Sequence, residues 1–80
     1  MSRIKSPEYI EQLKLFTQLC GNRDLKGAIE MARELESQFP EETSESAEFL
    51  LDKASILNQI GDYRSAIAVA SEAYDLVRAT

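Results

Sequence analysis

The residue types on which most enzymes rely are scarce in this chain, which has no histidine and a single cysteine, Cys20. A catalytic thiol needs a neighbouring base, and a zinc site of Cys and His ligands needs several of them, so neither can be built here. One cysteine also excludes an internal disulfide, which is typical of a reducing compartment. We expect Cys20 to act as a small buried apolar residue at the end of a helix.

Carboxylates are abundant but do not indicate an acid–base pair. The chain carries fourteen Asp and Glu residues against nine Lys and Arg, which gives a net charge of -5. General acid–base chemistry needs a deep pocket that gives two carboxyl groups different environments, and so small a helical chain encloses none. The sequence has no Gly-rich phosphate-binding loop either. We therefore predict a protein that is not an enzyme and needs no metal or cofactor.

Negative charge is concentrated in the middle of the chain, in Glu30, Glu34, Glu36, Glu41, Glu42, Glu45 and Glu48. Such a run is either a solvated face or a surface that steers a basic partner. The acidic balance argues against nucleic acid, because phosphate binding needs clustered Lys and Arg. The basic residues 1–5 precede Ser6-Pro7-Glu8 instead of an apolar run, and no apolar stretch approaches the ~20 residues that cross a bilayer. We expect a cytoplasmic protein with a protein or peptide partner, and no membrane or nucleic acid.

Helices must position any binding surface, because apolar residues recur every three to four positions along most of the chain. The first predicted helix starts at Ser6-Pro7-Glu8, where a hydroxyl, a proline and a carboxylate suit a helix start, and it breaks at Gly21-Asn22. The second begins after Asp24 and ends near Gln38, before Pro40, which cannot extend a helix.

Two further helices follow. Thr43 and Ser44 supply hydroxyls for the start of the third, and Gly61-Asp62 ends it and caps a fourth from Tyr63 to about Arg78. No segment alternates apolar and polar residues as a strand would. The sequence therefore predicts a single all-α domain over residues 1–80. Its four helices would form two antiparallel hairpins, of about residues 7–39 and 44–78.

The two predicted hairpins share a motif. The segments Asp24-Leu25-Lys26-Gly27-Ala28-Ile29 and Asp62-Tyr63-Arg64-Ser65-Ala66-Ile67 agree at Asp, Ala and Ile. The step from Asp24 to Asp62 is long enough to hold one pair of helices. A two-helix repeat of this kind is typical of an α-solenoid, in which each hairpin buries its apolar face against the next.

With this repeat the chain resembles the tetratricopeptide repeat (TPR) family, and residues 47–80 match the family's pattern without gaps. In the first helix of this segment the matching positions are Leu50, Ala54 and Leu57, and the family's turn corresponds to Gly61-Asp62-Tyr63. In the second helix the family's small positions correspond to Ala66, Ala70 and Ala73. The resemblance implies a short α-solenoid that binds other polypeptides.

The first half, residues 7–40, matches the family less well. Ala28, Ala32, Leu35 and Pro40 agree with it, but Phe16 replaces a small first-helix residue. Two registers for the first helix stay open, because aligning Gly21 with Gly61 adds two residues to the first turn. The repeat is about four residues longer than the family's usual unit. The extra residues are most simply 43–46, which would lengthen the third helix by about one turn.

The resemblance also implies a concave groove lined by the first helix of each hairpin. Its counterparts in this sequence are Ile10, Leu13, Thr17, Leu51, Asp52, Ser55, Asn58 and Gln59. Leu13 and Leu51 stand where members that clamp a peptide carboxylate carry cations, so the expected ligand is an apolar or amphipathic segment. The alternative is that these two leucines only close the core between the hairpins.

The fourth predicted helix is apolar over much of its circumference, so it should be buried on more than one side. We predict that an exposed apolar face of this helix meets another chain, and assign to it Val69, Ala73, Leu76 and Val77. The alternatives are that the first helix covers part of this face, or that the chain belongs to a longer array.

These patterns favour a protein-interaction module that binds a segment of a partner or a second copy of itself as a homodimer. One alternative is a small acidic chaperone or regulatory subunit dedicated to one client. Another is a structural repeat unit without a ligand of its own.

Overall fold

The computed structural model describes residues 7–78, and these residues form helices joined by short turns. The helices are α1 (Pro7–Gly21), α2 (Leu25–Gln38), α3 (Pro40–Ser44), α4 (Ala47–Gln59) and α5 (Tyr63–Arg78). No strand occurs within the described range, so the predicted all-α class is confirmed. Ser6, predicted to help start the first helix, lies outside the described residues, as do residues 1–5.

Side-chain caps begin three of these helices. Asp24 accepts a hydrogen bond from the Gly27 amide at 3.1 Å before α2. Ser46 accepts one from the Phe49 amide at 3.2 Å before α4, and Asp62 accepts one from the Ser65 amide at 3.4 Å before α5. Each cap satisfies an amide that has no partner within its own helix.

The two hairpin turns fix the register of the repeat. Arg23 (φ 60) and Gly61 (φ 92) both adopt the left-handed conformation. The closing hydrogen bonds are also equivalent, from Asp24 N to Leu19 O at 3.0 Å and from Asp62 N to Leu57 O at 2.9 Å. Arg23 is therefore the counterpart of Gly61. We call the constant difference in residue number between such counterparts, as from Arg23 to Gly61, the repeat shift. The alternative alignment of Gly21 with Gly61 is wrong, because Gly21 still belongs to α1.

The structure has five helices in the described residues instead of the four predicted. The extra element is α3, a single turn that starts at Pro40 and is separate from α4. Thr43 holds this turn by donating its hydroxyl to the Phe39 carbonyl at 2.9 Å. Ser46 then adopts an extended conformation (φ -106, ψ 102) that interrupts the helical path. The predicted extension of the third helix over residues 43–46 is therefore wrong.

The core joins the two hairpins through α4. Helices α4 and α5 share the most extensive contact, α1 pairs with α2, and α4 also contacts both α1 and α2. The Phe16 ring of α1 lies 5.2 Å from the Phe49 ring of α4. The centroids of the Tyr9 and Phe39 rings lie 5.4 Å apart, and Tyr9 is fully buried. Helix α4 is thus central, whereas α5 packs chiefly on α4 and keeps much of its surface exposed.

Candidate functional site

Helix α5 exposes a line of large apolar side chains. Tyr63, Ile67 and Tyr74 are 62%, 68% and 59% exposed, and the half-buried Ala70 lies between them. Their spacing of four, three and four positions places them on one helix face. We call these four residues the α5 stripe. Val77 continues the same face and is also exposed.

The sequence placed the exposed face of this helix on the wrong residues. Val69 and Ala73 are buried in the core, and Leu76 is half-buried against it. Of the four predicted residues, Val77 alone is exposed. Small and β-branched residues face α4 because they let the two helices approach closely. The larger tyrosines are turned outward, and their helical spacing with Ile67 was the signal that sequence reasoning missed.

A groove between α4 and α5 adjoins the stripe and has a volume of about 390 Å³. Its lining consists of Leu51, Ala54, Ser55, Asn58, Tyr63, Ala66, Ile67 and Ala70. We call it the α4–α5 groove. Leu51 is 42% exposed at this site. Ser55 and Asn58 provide a polar rim, and Gln59, another predicted groove residue, donates a hydrogen bond to Ser55 at 3.3 Å.

Three other predicted groove residues, Ile10, Leu13 and Thr17, line a second depression, beside α1. It has a volume of about 380 Å³ and is lined by Ile10, Leu13, Lys14, Thr17, Gln18 and Glu48. Leu13 is only 8% exposed and belongs to the core. The alternative role, closing the core, therefore holds for Leu13 but not for Leu51. The predicted groove is thus divided into two depressions, one beside α1 and one between α4 and α5, and Asp52 and Gln59 line neither.

Asp52 connects α4 to α1. Its carboxylate accepts a hydrogen bond from the Thr17 hydroxyl at 3.3 Å. Burial raises the pKa of Asp52 above its usual range, the Thr17 hydrogen bond opposes this effect, and the charge of Glu48 adds to it. Asp52 thus places a carboxylate between α1 and α4, and Glu48 places another in the lining of the depression beside α1.

Cys20 is half-buried near the same contact. Burial, and secondarily the charge of Asp52, raises the pKa of its thiol to about 11. The thiol is therefore protonated at neutral pH, which agrees with a packing role. Within residues 7–78, no three Cys, Asp or Glu side chains converge into a group that could hold a metal ion.

A third depression, on the opposite side of α4, was not predicted. It has a volume of about 360 Å³ and lies between α2 and α5. Lys53 of α4 reaches across it to the carboxylate of Glu36 at 2.5 Å. The signal in the sequence was this lysine between the core residues Leu50 and Leu57, where a periodic pattern would place an apolar residue.

Comparison with protein-family models, with curated proteins and with solved structures found no match to this chain. None of the helices in the described part of the chain has the length and apolar character needed to span a membrane.

Proposed function

We propose that this protein is a TPR-like interaction module that binds an apolar or amphipathic segment of another polypeptide in the α4–α5 groove and on the α5 stripe. The observation that carries this proposal is the exposure of Leu51, Tyr63, Ile67 and Tyr74 on one continuous surface. Clustered large apolar residues on a protein surface mark sites of interaction, whereas scattered ones are ordinary.

The TPR-like arrangement is supported by the repeat itself. The two hairpins, related by the repeat shift, have equivalent turns, and the first helix of the second hairpin contacts both helices of the first. Stacking of this kind buries the face of one hairpin under the next.

Each part of the surface has a distinct role in the proposed binding. Ile67 and Leu51 supply apolar area, whose burial contributes about 25 cal/mol per Å². The two tyrosines add aromatic area and keep a hydroxyl that can reach water at the edge of a complex. Ser55 and Asn58 fix the orientation of the ligand by hydrogen bonding to its polar edge.

The proposal can be tested with a phage-displayed peptide library selected on the intact chain. Selected peptides should be amphipathic and should shift the amide NMR signals of Leu51 and Ile67. Binding should be lost with Ile67→Glu and kept with Leu15→Glu, which alters an exposed leucine of α1 that lies off the α5 stripe and the α4–α5 groove. Failure to enrich any peptide, or enriched peptides that bind elsewhere, would contradict the proposal.

Self-association is the second candidate, since the same exposed surface could pair with its copy. Light scattering across a concentration range separates the two. A stable dimer that Ile67→Glu dissociates would make the homodimer, and a structural role, the better interpretation. A monomer leaves the surface available to a client, as a dedicated chaperone or regulatory subunit requires.

A further inference from the structure

The α4–α5 groove and the α5 stripe are the repeat counterpart of a surface that is already occupied within this chain. The repeat shift, which the two turns fix, maps Leu13 onto Leu51 and Ile29 onto Ile67. The same shift maps Leu25, Ala32 and Glu36 onto Tyr63, Ala70 and Tyr74. Hairpin 2 (α4 and α5) therefore repeats the face that hairpin 1 (α1 and α2) presents.

The two equivalent faces differ in exposure. Leu13 is 8% exposed, whereas Leu51 is 42% exposed. Ile29 is half-buried against the core, whereas Ile67 is 68% exposed. Side chains of the same type at the same repeat position are thus covered in hairpin 1 and open in hairpin 2, so the open face has the features of a helix-docking surface.

The occupant of the first face is α4, and its contacts define what such a surface accepts. Phe49 packs on Phe16 at 5.2 Å between ring centroids. Ile56 lies two helical turns further on and is fully buried, so it shares the face of Phe49. Between them, Lys53 pairs with Glu36. The occupant is thus a helix with large apolar residues at i and i+7 and a cation at i+4.

A second copy of this chain cannot supply that helix by stacking head to tail. The helix it would present is α1, in which the counterparts of Phe49 and Ile56 are Glu11 and Gln18, both exposed. Burying a carboxylate and an amide at positions where the internal contact buries two apolar side chains removes their hydration, which is unfavourable. The occupant therefore differs from α1 of another copy.

We propose that the α4–α5 groove and the α5 stripe bind an amphipathic helix of another protein that carries the pattern of α4. This deepens the proposed function and rests on it. The ligand helix has large apolar residues at i and i+7 and a Lys or Arg at i+4. Tyr74 stands where Glu36 binds the internal lysine, and its ring face attracts a cation. The ligand helix needs this one cation and no overall positive charge, since α4 itself carries Glu48 and Asp52 beside Lys53.

The test uses two synthetic peptides of equal length taken from this chain. One has the sequence of residues 45–61, which contains α4, and the other has that of residues 7–23, which contains α1 and is its repeat counterpart. Each is titrated into the isotopically labelled intact protein, and amide NMR shifts are followed. The α4 peptide should shift the signals of Leu51, Tyr63 and Ile67 and bind about tenfold more tightly, or better, than the α1 peptide.

Two chain variants complete the test. Ile67→Glu should weaken binding of the α4 peptide about tenfold or more, whereas Leu15→Glu should leave it unchanged. Tyr63→Ser, a second exposed position of the stripe, gives the same readout if Ile67→Glu perturbs the fold. Equal affinity for the two peptides would overturn the inference, as would a dimer held by the same surface. If library-selected peptides still bind the stripe in that case, the proposed function stands while this inference fails.

Discussion

Asp52 carries its charge in a partly buried position between α1 and α4. Burial raises its pKa in the fold, so the folded chain binds this proton more tightly than the unfolded chain does. The ionised form therefore lowers stability. This cost is absent below the unfolded pKa of about 4 and is complete above the raised pKa of the folded chain.

Asp52→Asn should remove this cost while its amide oxygen still accepts the Thr17 hydrogen bond. We expect the free energy of unfolding of the variant to rise relative to that of the original chain as the pH increases above about 4. Urea unfolding between pH 4 and pH 7 measures the difference. If the difference between the two proteins does not change with pH, the carboxylate is not destabilised by the fold.

Cys20 should react slowly with alkylating reagents in the folded protein. A thiol pKa raised from 9.0 to about 11 lowers the thiolate fraction at pH 8 by a factor of about 100. A more basic thiolate is also more nucleophilic, which restores a factor of about 10. The net expectation is about tenfold slower alkylation by iodoacetamide than in the denatured chain. Equal rates would show that neither burial nor Asp52 affects this thiol.

Among the helices, α4 depends on the cap provided by Ser46, which is itself buried. Because its hydroxyl accepts from the Phe49 amide, Ser46→Ala should leave that amide without its cap and cost about 1 kcal/mol. In a domain of this size the thermal midpoint should fall by about 4–8 °C. Ser44→Ala, at an exposed position of α3, is the matched control and should have a small effect. Equal losses in the two variants would mean that the cap is not specific to α4.

Helix boundaries were predictable where the signal is local. The caps Asp24 and Asp62 and the stop at Pro40 are read directly from residue type, and the structure places them as expected. Helix α3 escaped prediction because a proline that ends one helix can begin another in its first turn. Local sequence signals also did not predict which face of α5 is buried against α4. The exposed face of a helix that is apolar over much of its circumference can be identified only when its neighbour is known, which is why Val69 and Ala73 were assigned to that face wrongly.

The whole molecule has two unlike sides. The outer face of α1 carries Glu11 and Gln18, whereas the equivalent face of α4 carries Phe49 and Ile56 and is buried. On the other side of the stack, the α5 stripe is apolar and exposed. The exposed Leu15 lies between these two polar residues, so the outer face of α1 is mixed, and Glu11 and Gln18 disfavour further stacking there. These residue types are visible in the sequence, but Glu11 and Gln18 can be recognised as the counterparts of Phe49 and Ile56 only once the two turns define the repeat shift.

Changing the polar side should convert the molecule into a self-associating one. The double substitution Glu11→Phe and Gln18→Ile gives α1 the apolar pattern of α4, so α1 of one copy can dock in the α4–α5 groove of the next. Such a contact is heterologous and leaves both ends open, so the mass from light scattering should rise continuously with concentration. The original chain should not behave in this way.

The docking site in this assembly is tested by adding Ile67→Glu to the same chain, which should restore the mass of the single chain. The matched control introduces the same residues at the same spacing on α2, as Glu30→Phe and Ser37→Ile, two positions that are exposed. Any association of that control should be insensitive to Ile67→Glu, because nothing on hairpin 2 is shaped to receive α2. If the α1 variant associates equally with and without Ile67→Glu, nonspecific hydrophobic association drives the assembly. The equivalence of the two hairpin faces then does not govern docking.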